Sequence, residues 1–295
     1  MNNVVLAIDG SEPSLEAAQF FAHLPHNDSL FMTVATVVQR PYIHSSYAVG
    51  ELLEKAFERD QEFAKEKFQE VEEIFDGANV TLDHVAKDGP VGETIVEIAE
   101  KRKADLVVVG AKGHSGIARL LLGSVSDHVA THAPCSTLIV RPTELLNHAR
   151  PIRVCLAFEV CQSAIAALEE ISQIPWKTGT EFHLLTVQTF LSDFIGERIA
   201  DEGLDLTEHA EEGLKEAKER LREVAPNAQT HVLRTDHIGE GIVSFVEDNG
   251  IDLLVIGETP RSAVNRFLLG STSRYVLRHA PCSIWVTRNK TPDAS

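Results

Sequence analysis

The sequence predicts an α/β chain made of two tandem copies of one five-stranded parallel-sheet domain. Three observations lead there. First, the chain repeats itself: ADLVVVG (Ala104 to Gly110) returns as IDLLVIG (Ile251 to Gly257), and LLLGSVSDHVATHAPCSTLIVRP (Leu120 to Pro142) returns as FLLGSTSRYVLRHAPCSIWVTRN (Phe267 to Asn289). The offset stays at 147 residues, from Gly110 to Gly257 and from Gly123 to Gly270. Upstream, VVLAIDGSEPS (Val4 to Ser14) matches VCLAFEVCQSA (Val154 to Ala164) at an offset of 150, which sets Asp9 opposite Glu159. Second, each half alternates short β-rich runs with helical patterns, the signature of parallel strands joined by right-handed crossovers. Third, a run such as Leu30 to Val38 is apolar but for Thr33 and Thr36, as expected of a strand buried on both faces. The repeat is far longer than a solenoid unit, so it is a whole domain. A chain of 295 residues accommodates two.

The elements follow in order. Val4 to Ile8 is a β-rich run, and Pro13 marks the start of an alanine-rich helix running to about Leu24. Leu30 to Val38 is the second strand. A long helix rich in Glu and Lys covers about Val49 to Phe75, and Val80 to Ala86 is the third strand. Val91 to Lys101 reads as a helix and Leu106 to Val109 as the fourth strand. A glycine-containing loop leads to a helix from about Ser124 to His132, and Ser136 to Val140 is the fifth strand. The second half repeats this from Arg153 to Thr287, with its long helix over about Thr207 to Val224. Thr143 to Arg150 is a polar stretch between Pro142 and Pro151 that places the domains at 1–146 and 147–295. It is too short for a flexible tether, so the halves are expected to pack together.

Composition excludes several classes. The chain is 43% hydrophobic and 24% charged, an ordinary globular balance. Its formal net charge of -17 repels nucleic acid and anionic lipid, so neither is an expected partner. No stretch reaches the roughly 18 apolar residues a membrane helix needs. The first residues lack a basic leader and run straight into a strand, so a cytoplasmic location is expected. The four cysteines form no CxxC pair, which argues against a zinc or redox site.

The chemistry lies in one loop. In the first half Gly110-Ala-Lys-Gly113 is followed by nine residues and then Gly123-Ser124. The glycines allow close backbone approach, and Gly123-Ser124 opens a helix whose free N–H groups and dipole favour an anion. Hydrogen bonds to charged groups contribute about 1.5–3 kcal/mol each, so several converging donors hold a polyphosphate. The hydroxyls of Ser124 and Ser126 are candidate further donors. Asp9 closes the first strand, at the sheet edge where ligands bind, as an acceptor for ribose hydroxyls or a holder of a phosphate-bound metal.

Asp9 after the first strand, the G-x2-G-x9-G-S spacing and the closing APCSTLIV strand resemble the universal stress protein family, over essentially the whole chain as two family domains. The resemblance implies a Rossmann-like, adenine nucleotide alpha-hydrolase-like fold and, from the ATP-binding branch, contacts at Asp9, Val37, Gly110, Gly113, Gly123, Ser124 and Val125. Val109 is a further candidate for the adenine slot, or a plain core valine. The implied ligand is ATP with magnesium in the first domain. Family members dimerise through the last strand, so Ser136 to Val140 and Ser283 to Val286 are expected to pair within the chain as an internal pseudo-dimer. Further homodimerisation stays open.

The second half departs from the motif. Gly257-Glu-Thr-Pro260 carries proline at the second glycine, Glu159 replaces the aspartate, and Glu258 stands where the first half has Ala111. Proline removes one N–H donor, and a carboxylate at residue 258 is expected to repel phosphate. Arg261 and Arg266 supply positive charge, and Val187 keeps the second-strand valine. The second domain is expected to be empty. Lys112, His114 and Arg119 are candidate phosphate neutralisers or a solvated loop. His132 and His279 suit helix C-termini, and Asp83-His84, Asp88 and Asp236-His237 lack a fixed ligand spacing. No P-loop and no nucleophile elbow is present. The expectation is a nucleotide-dependent regulator of the stress response. The alternatives are a scaffold stress protein without nucleotide and a slow nucleotide hydrolase.

Overall fold

Apolar runs bounded by turn residues form the strands, and helices with one apolar stripe cover them. The computed structural model describes residues 2–26, 30–38, 47–112, 122–143, 145, 150–176, 179–189, 206–258 and 269–288. The chain divides into two compact units, and after Gly123 the division falls between Val140 and Arg141.

The first unit runs β1 (Asn3–Ala7), α1 (Glu12–His23), β2 (Leu30–Val38), α2 (Tyr47–Ile74), β3 (Val80–Asp88), α3 (Val91–Lys101), β4 (Leu106–Gly110), α4 (Ser124–His132) and β5 (Ser136–Val140). Its strands lie in the order β3-β2-β1-β4-β5, with every neighbouring pair parallel. The second unit runs β6 (Arg153–Ala157), α5 (Gln162–Ser172), β7 (Glu181–Thr189), α6 (Leu206–Arg220), β8 (Gln229–Thr235), α7 (Ile238–Asp248), β9 (Leu253–Gly257), α8 (Ser271–His279) and β10 (Ser283–Thr287). Its order is β8-β7-β6-β9-β10, again all parallel. The sequence repeat is therefore a repeat of topology. In both units the chain reverses its direction across the sheet beside the first strand, which opens a crevice outside the carboxyl ends of β1 and β4, and of β6 and β9.

Burial explains the strand sequences. β4 and β5 are buried at every residue, and β1 at four of its five. Successive side chains point to opposite faces, so both faces of these strands are covered and nearly every position is apolar. The edge strand β3 is only half-buried and carries Asp83, His84, Lys87 and Asp88. On α3 the buried residues are Thr94, Ile95, Ile98 and Ala99, one stripe at helical period. Most boundaries match the sequence reading. β3 runs to Asp88 instead of Ala86 because β2 is nine residues long and pairs Val37 with Lys87 and Val38 with Asp88. α6 ends at Arg220, four residues before Val224, and the chain leaves it through turns at Arg222 and Val224. The polar stretch before the second repeat is pinned. The Arg150 guanidinium donates to both oxygens of the buried Asp252 carboxylate at 2.7 Å each, and the Arg153 N–H donates to the same carboxylate at 2.9 Å. Among the described residues no helix is long and apolar enough to cross a membrane.

The long helix of each repeat meets the turn after the first strand through a large side chain and a glycine, and the two repeats exchange which element carries which. In the first unit Gly10, at φ +77°, lies under the Phe63 ring of α2; a Cβ there would come within 2.3 Å of the ring. In the second unit Val160 stands in the turn and Gly213 on α6, where a Cβ would come within 2.3 Å of Val160 Cγ2. Alanine normally improves a helix over glycine by about 1 kcal/mol. Here Gly213→Ala is expected to lower the urea midpoint, and Gly213→Ala with Val160→Ala to rise above the unaltered protein. A raised midpoint for the single variant would contradict the contact.

Candidate functional site

Asp9 follows β1 directly and is held before any ligand arrives. Its Oδ1 accepts the Ser11 N–H at 2.9 Å and the Ser11 hydroxyl at 2.5 Å. Ser11 is the N-cap residue of α1, yet its hydroxyl makes no capping bond because it points at Asp9. The registers extend this to neighbouring strands. Leu6 pairs with Val108 and Ala7 with Ala35. Carried on to Asp9, the same registers put it level with Ala111 on one side and Val37 on the other. Val37 is half-buried and Val109 buried.

The loop after β4 returns to the same edge. The Ala111 N–H donates to Val140 O at 2.7 Å, continuing the sheet past Gly110. Gly123 N–H donates back to Ala111 O at 2.8 Å, so the two ends of the glycine motif are joined. Gly123 is the N-cap of α4, which leaves the first-turn amides of Ser124 and Val125 directed out of the helix end. Ser124 is exposed and Val125 half-buried. The structure thus brings Asp9, Val37, Gly110, Gly123, Ser124 and Val125 to one sheet edge. Gly113, His114 and Arg119 lie outside the described residues.

Two parts of the sequence reading change. Ser126, a candidate phosphate donor, is buried and its hydroxyl serves the loop instead, 2.8 Å from Ala111 O and 2.9 Å from Gly123 O. Gly110 has a packing reason of its own. A Cβ there would lie 2.7 Å from the Pro13 carbonyl oxygen in the first turn of α1. Its counterpart Gly257 would meet the Ser163 carbonyl oxygen at 2.5 Å. The first glycine of the motif is therefore demanded in both repeats by contact between backbones.

The second edge keeps the frame and changes the chemistry. Glu258 N–H donates to Thr287 O at 3.1 Å, as Ala111 does to Val140. The Glu258 carboxylate is buried against the Arg288 guanidinium, with side chains 8% and 10% exposed. Burial pushes its carboxyl above the usual range while Arg288 pulls it the other way. The expected repulsion of phosphate is revised accordingly: this carboxylate is taken up by an arginine. No sequence spacing announced that partner, which comes from the register of Gly257 with Thr287. Glu159 is exposed, and the N–H of Cys161, which replaces Ser11, donates to the Glu159 backbone carbonyl at 2.6 Å. A cavity of about 240 Å³ opens here, with Phe158, Cys161, Val187, Ile242, Gly257 and Ser271 in its wall. Pro260, Arg261 and Arg266 lie outside the described residues.

Several of the remaining candidates take structural roles. Asp83 pairs with Arg102 at 2.5 Å, and His84 stacks on Phe68 at 4.9 Å between centroids. His132 Nδ1 lies 2.9 Å from His128 O, and His279 Nδ1 2.7 Å from Tyr275 O, in the last turns of α4 and α8. His237 is the N-cap residue of α7.

The sequence model of the Universal stress protein family matches residues 1–141 and again 153–288. The chain belongs to the universal stress protein family. A universal stress protein of Methanocaldococcus jannaschii is 34% identical over 143 residues, which is 47% of this chain and 81% of that protein. One from Synechocystis is 31% identical over 148 residues, 47% of this chain and 96% of that protein. A crystal structure of a universal stress protein from Archaeoglobus fulgidus covers 98% of this chain and 96% of its own, with a TM-score of 0.64 at 20% identity, a likeness of fold. This universal stress protein is thus a tandem form, with two family domains of Rossmann-like α/β fold in one chain.

The backbone contacts make a prediction. Forcing a methyl into packed backbone costs about 1–3 kcal/mol. Gly110→Ala and Gly257→Ala are expected to lose that much in urea unfolding without nucleotide. Gly123→Ala, whose Cβ would have its nearest contact at 3.2 Å, is expected to lose less. Unchanged stability of Gly110→Ala would mean that the glycine serves only a ligand.

Proposed function

We propose that this universal stress protein binds ATP, with a divalent metal, at the first sheet edge and acts as a nucleotide-dependent regulator in the stress response. The observation that supports it most is a carboxylate, already fixed by Ser11, on the same sheet edge from which the loop leads into α4. The residues suit the ligand. The first-turn amides of Ser124 and Val125 and the exposed Ser124 hydroxyl are donors for phosphate oxygens, aided by the helix dipole. Asp9 is an acceptor for ribose hydroxyls or a holder of the metal. The half-buried Val37 offers apolar surface to a base. A divalent metal held by Asp9 would supply positive charge to offset that of the phosphates.

The second edge lacks the fixed carboxylate, and its loop carries Pro260 without an N–H; ATP is proposed to occupy the first domain alone. At millimolar ATP a micromolar site is saturated and stabilises the fold by about 4 kcal/mol, so occupancy is a strong lever on conformation.

Calorimetric titration with magnesium and ATP tests this. Losing a charged hydrogen-bond partner costs about 1.5–3 kcal/mol, so Asp9→Ala is expected to weaken Kd by about tenfold or more, while Glu159→Ala leaves it unchanged. No binding by the unaltered protein, or equal loss in both variants, would overturn the reading.

A further inference from the structure

We propose that the second domain carries a proton-operated latch, the His183–His231 pair, which holds the edge strand β8 and the helix α7 in place while neutral and releases them on taking up a proton. His183 on β7 and His231 on β8 sit diagonally across the strand pair, because His183 is level with Gln229 and Leu185 with His231. Both therefore stand on one face of the sheet. His183 Nδ1 lies 3.1 Å from His231 Nε2, with the rings stacked at 5.2 Å between centroids. α7 closes over them: the Phe245 ring is 5.8 Å from the His183 ring and 4.8 Å from the His231 ring. His183 is buried and its Nε2 has no hydrogen-bond partner, whereas His231 is half-buried. In the first unit the β3 histidine, His84, stacks on Phe68 of α2 instead.

The pair resists a charge by the number of its hydrogens. Two neutral imidazoles carry two ring hydrogens. The arrangement of lowest cost places one between the rings, donated by His183 Nδ1, and the other on His231 Nδ1; the buried Nε2 of His183 then stays bare. A third hydrogen has two places to go. On His183 Nε2 it is a buried donor without an acceptor. Between the rings it sets two N–H groups against each other. Burial pushes both imidazoles below the usual histidine range, and His231 adds to this at His183. The charged neighbours are opposed in sign: Glu181 of β7 pulls His183 up and Arg153 of β6 pushes it down, and these two pair with each other at 3.0 Å. From α7 the facing side chain is Phe245, which has no charge. Opening frees both rings to bind protons at the usual value of about 6.5. The open state thus binds more protons than the closed one, so the latch has full strength above about pH 6.5 and loses it as pH falls. Edge elements open at lower cost than the core, so the loss falls on β8 and α7.

Amide hydrogen exchange on the whole chain at about pH 7.5 and about pH 5.5, corrected for the intrinsic pH dependence of exchange, reads the latch. Each histidine held neutral in the closed state costs about tenfold in protection at about one pH unit below its free value. Residues 229–248, from β8 through α7, are therefore expected to lose about tenfold to about a hundredfold. His84 and His128 are also lowered by burial, but both lie in the first unit, so position separates their effect. His183→Leu with His231→Phe fills the same space with apolar groups and is expected to keep protection over residues 229–248 within about twofold between the two pH values. In the unaltered protein the His183 and His231 imidazole NMR signals, assigned through the backbone, are expected to titrate below about 6.5, a readout that decides the matter even where the double variant does not fold. The proposal is overturned if protection over residues 229–248 is the same at both pH values, or if the loss persists in the double variant. It is overturned equally if either imidazole titrates at or above its usual value.

Discussion

The contact on which the rest depends is backbone against backbone. At the end of β4 the absent side chain of Gly110 leaves room for the Pro13 carbonyl, and at the end of β9 Gly257 does the same for Ser163. This closeness presses the first turn of each repeat's first helix onto the central strand. It thereby fixes the position of the turn holding residue 9 or 159 relative to the loop that leads into α4 or α8. Without it the carboxylate and the helix N-terminus would have no common edge.

Duplication preserved that frame and let the details exchange partners. Gly10 under Phe63 became Val160 over Gly213, with bulk moved from the long helix to the turn. Asp9 held by Ser11 became Glu159 beside Cys161, and the carboxylate lost its fixed geometry. Ala111 became Glu258, a buried carboxylate made tolerable by Arg288. Breaking such a pair by removing one partner is strongly destabilising, so Arg288 binds the second loop to its own sheet. Each exchange leaves the fold intact while changing what the edge offers a ligand.

The fold was legible because periodicity and repetition carry it. Largely apolar runs mark β2, β4 and β9, helical stripes mark α3 and α7, and a nearly constant offset shows the duplication. Strand ends were less legible because partners set them, as Asp88 shows by extending β3 along β2. The shared edge was legible in position, since Asp9, Val37, Gly110 and Gly123 were all read as lying at the carboxyl ends of the strands. Its wiring was not. That Ser126 bonds its own loop, that Ser11 abandons its capping role for Asp9, and that Glu258 meets Arg288 all follow from register and from distances between residues remote in sequence. The reason for Gly110 was hidden for the same cause, because its neighbour Pro13 lies nearly a hundred residues upstream.

The central claim is that one frame, kept twice, serves ATP once. The most direct measurement is the count of ATP bound per chain by equilibrium dialysis in the presence of magnesium. The account predicts one ATP per chain. Two would show that Glu159 and Pro260 leave the second edge a working triphosphate site, and none would remove ATP from the function of this protein.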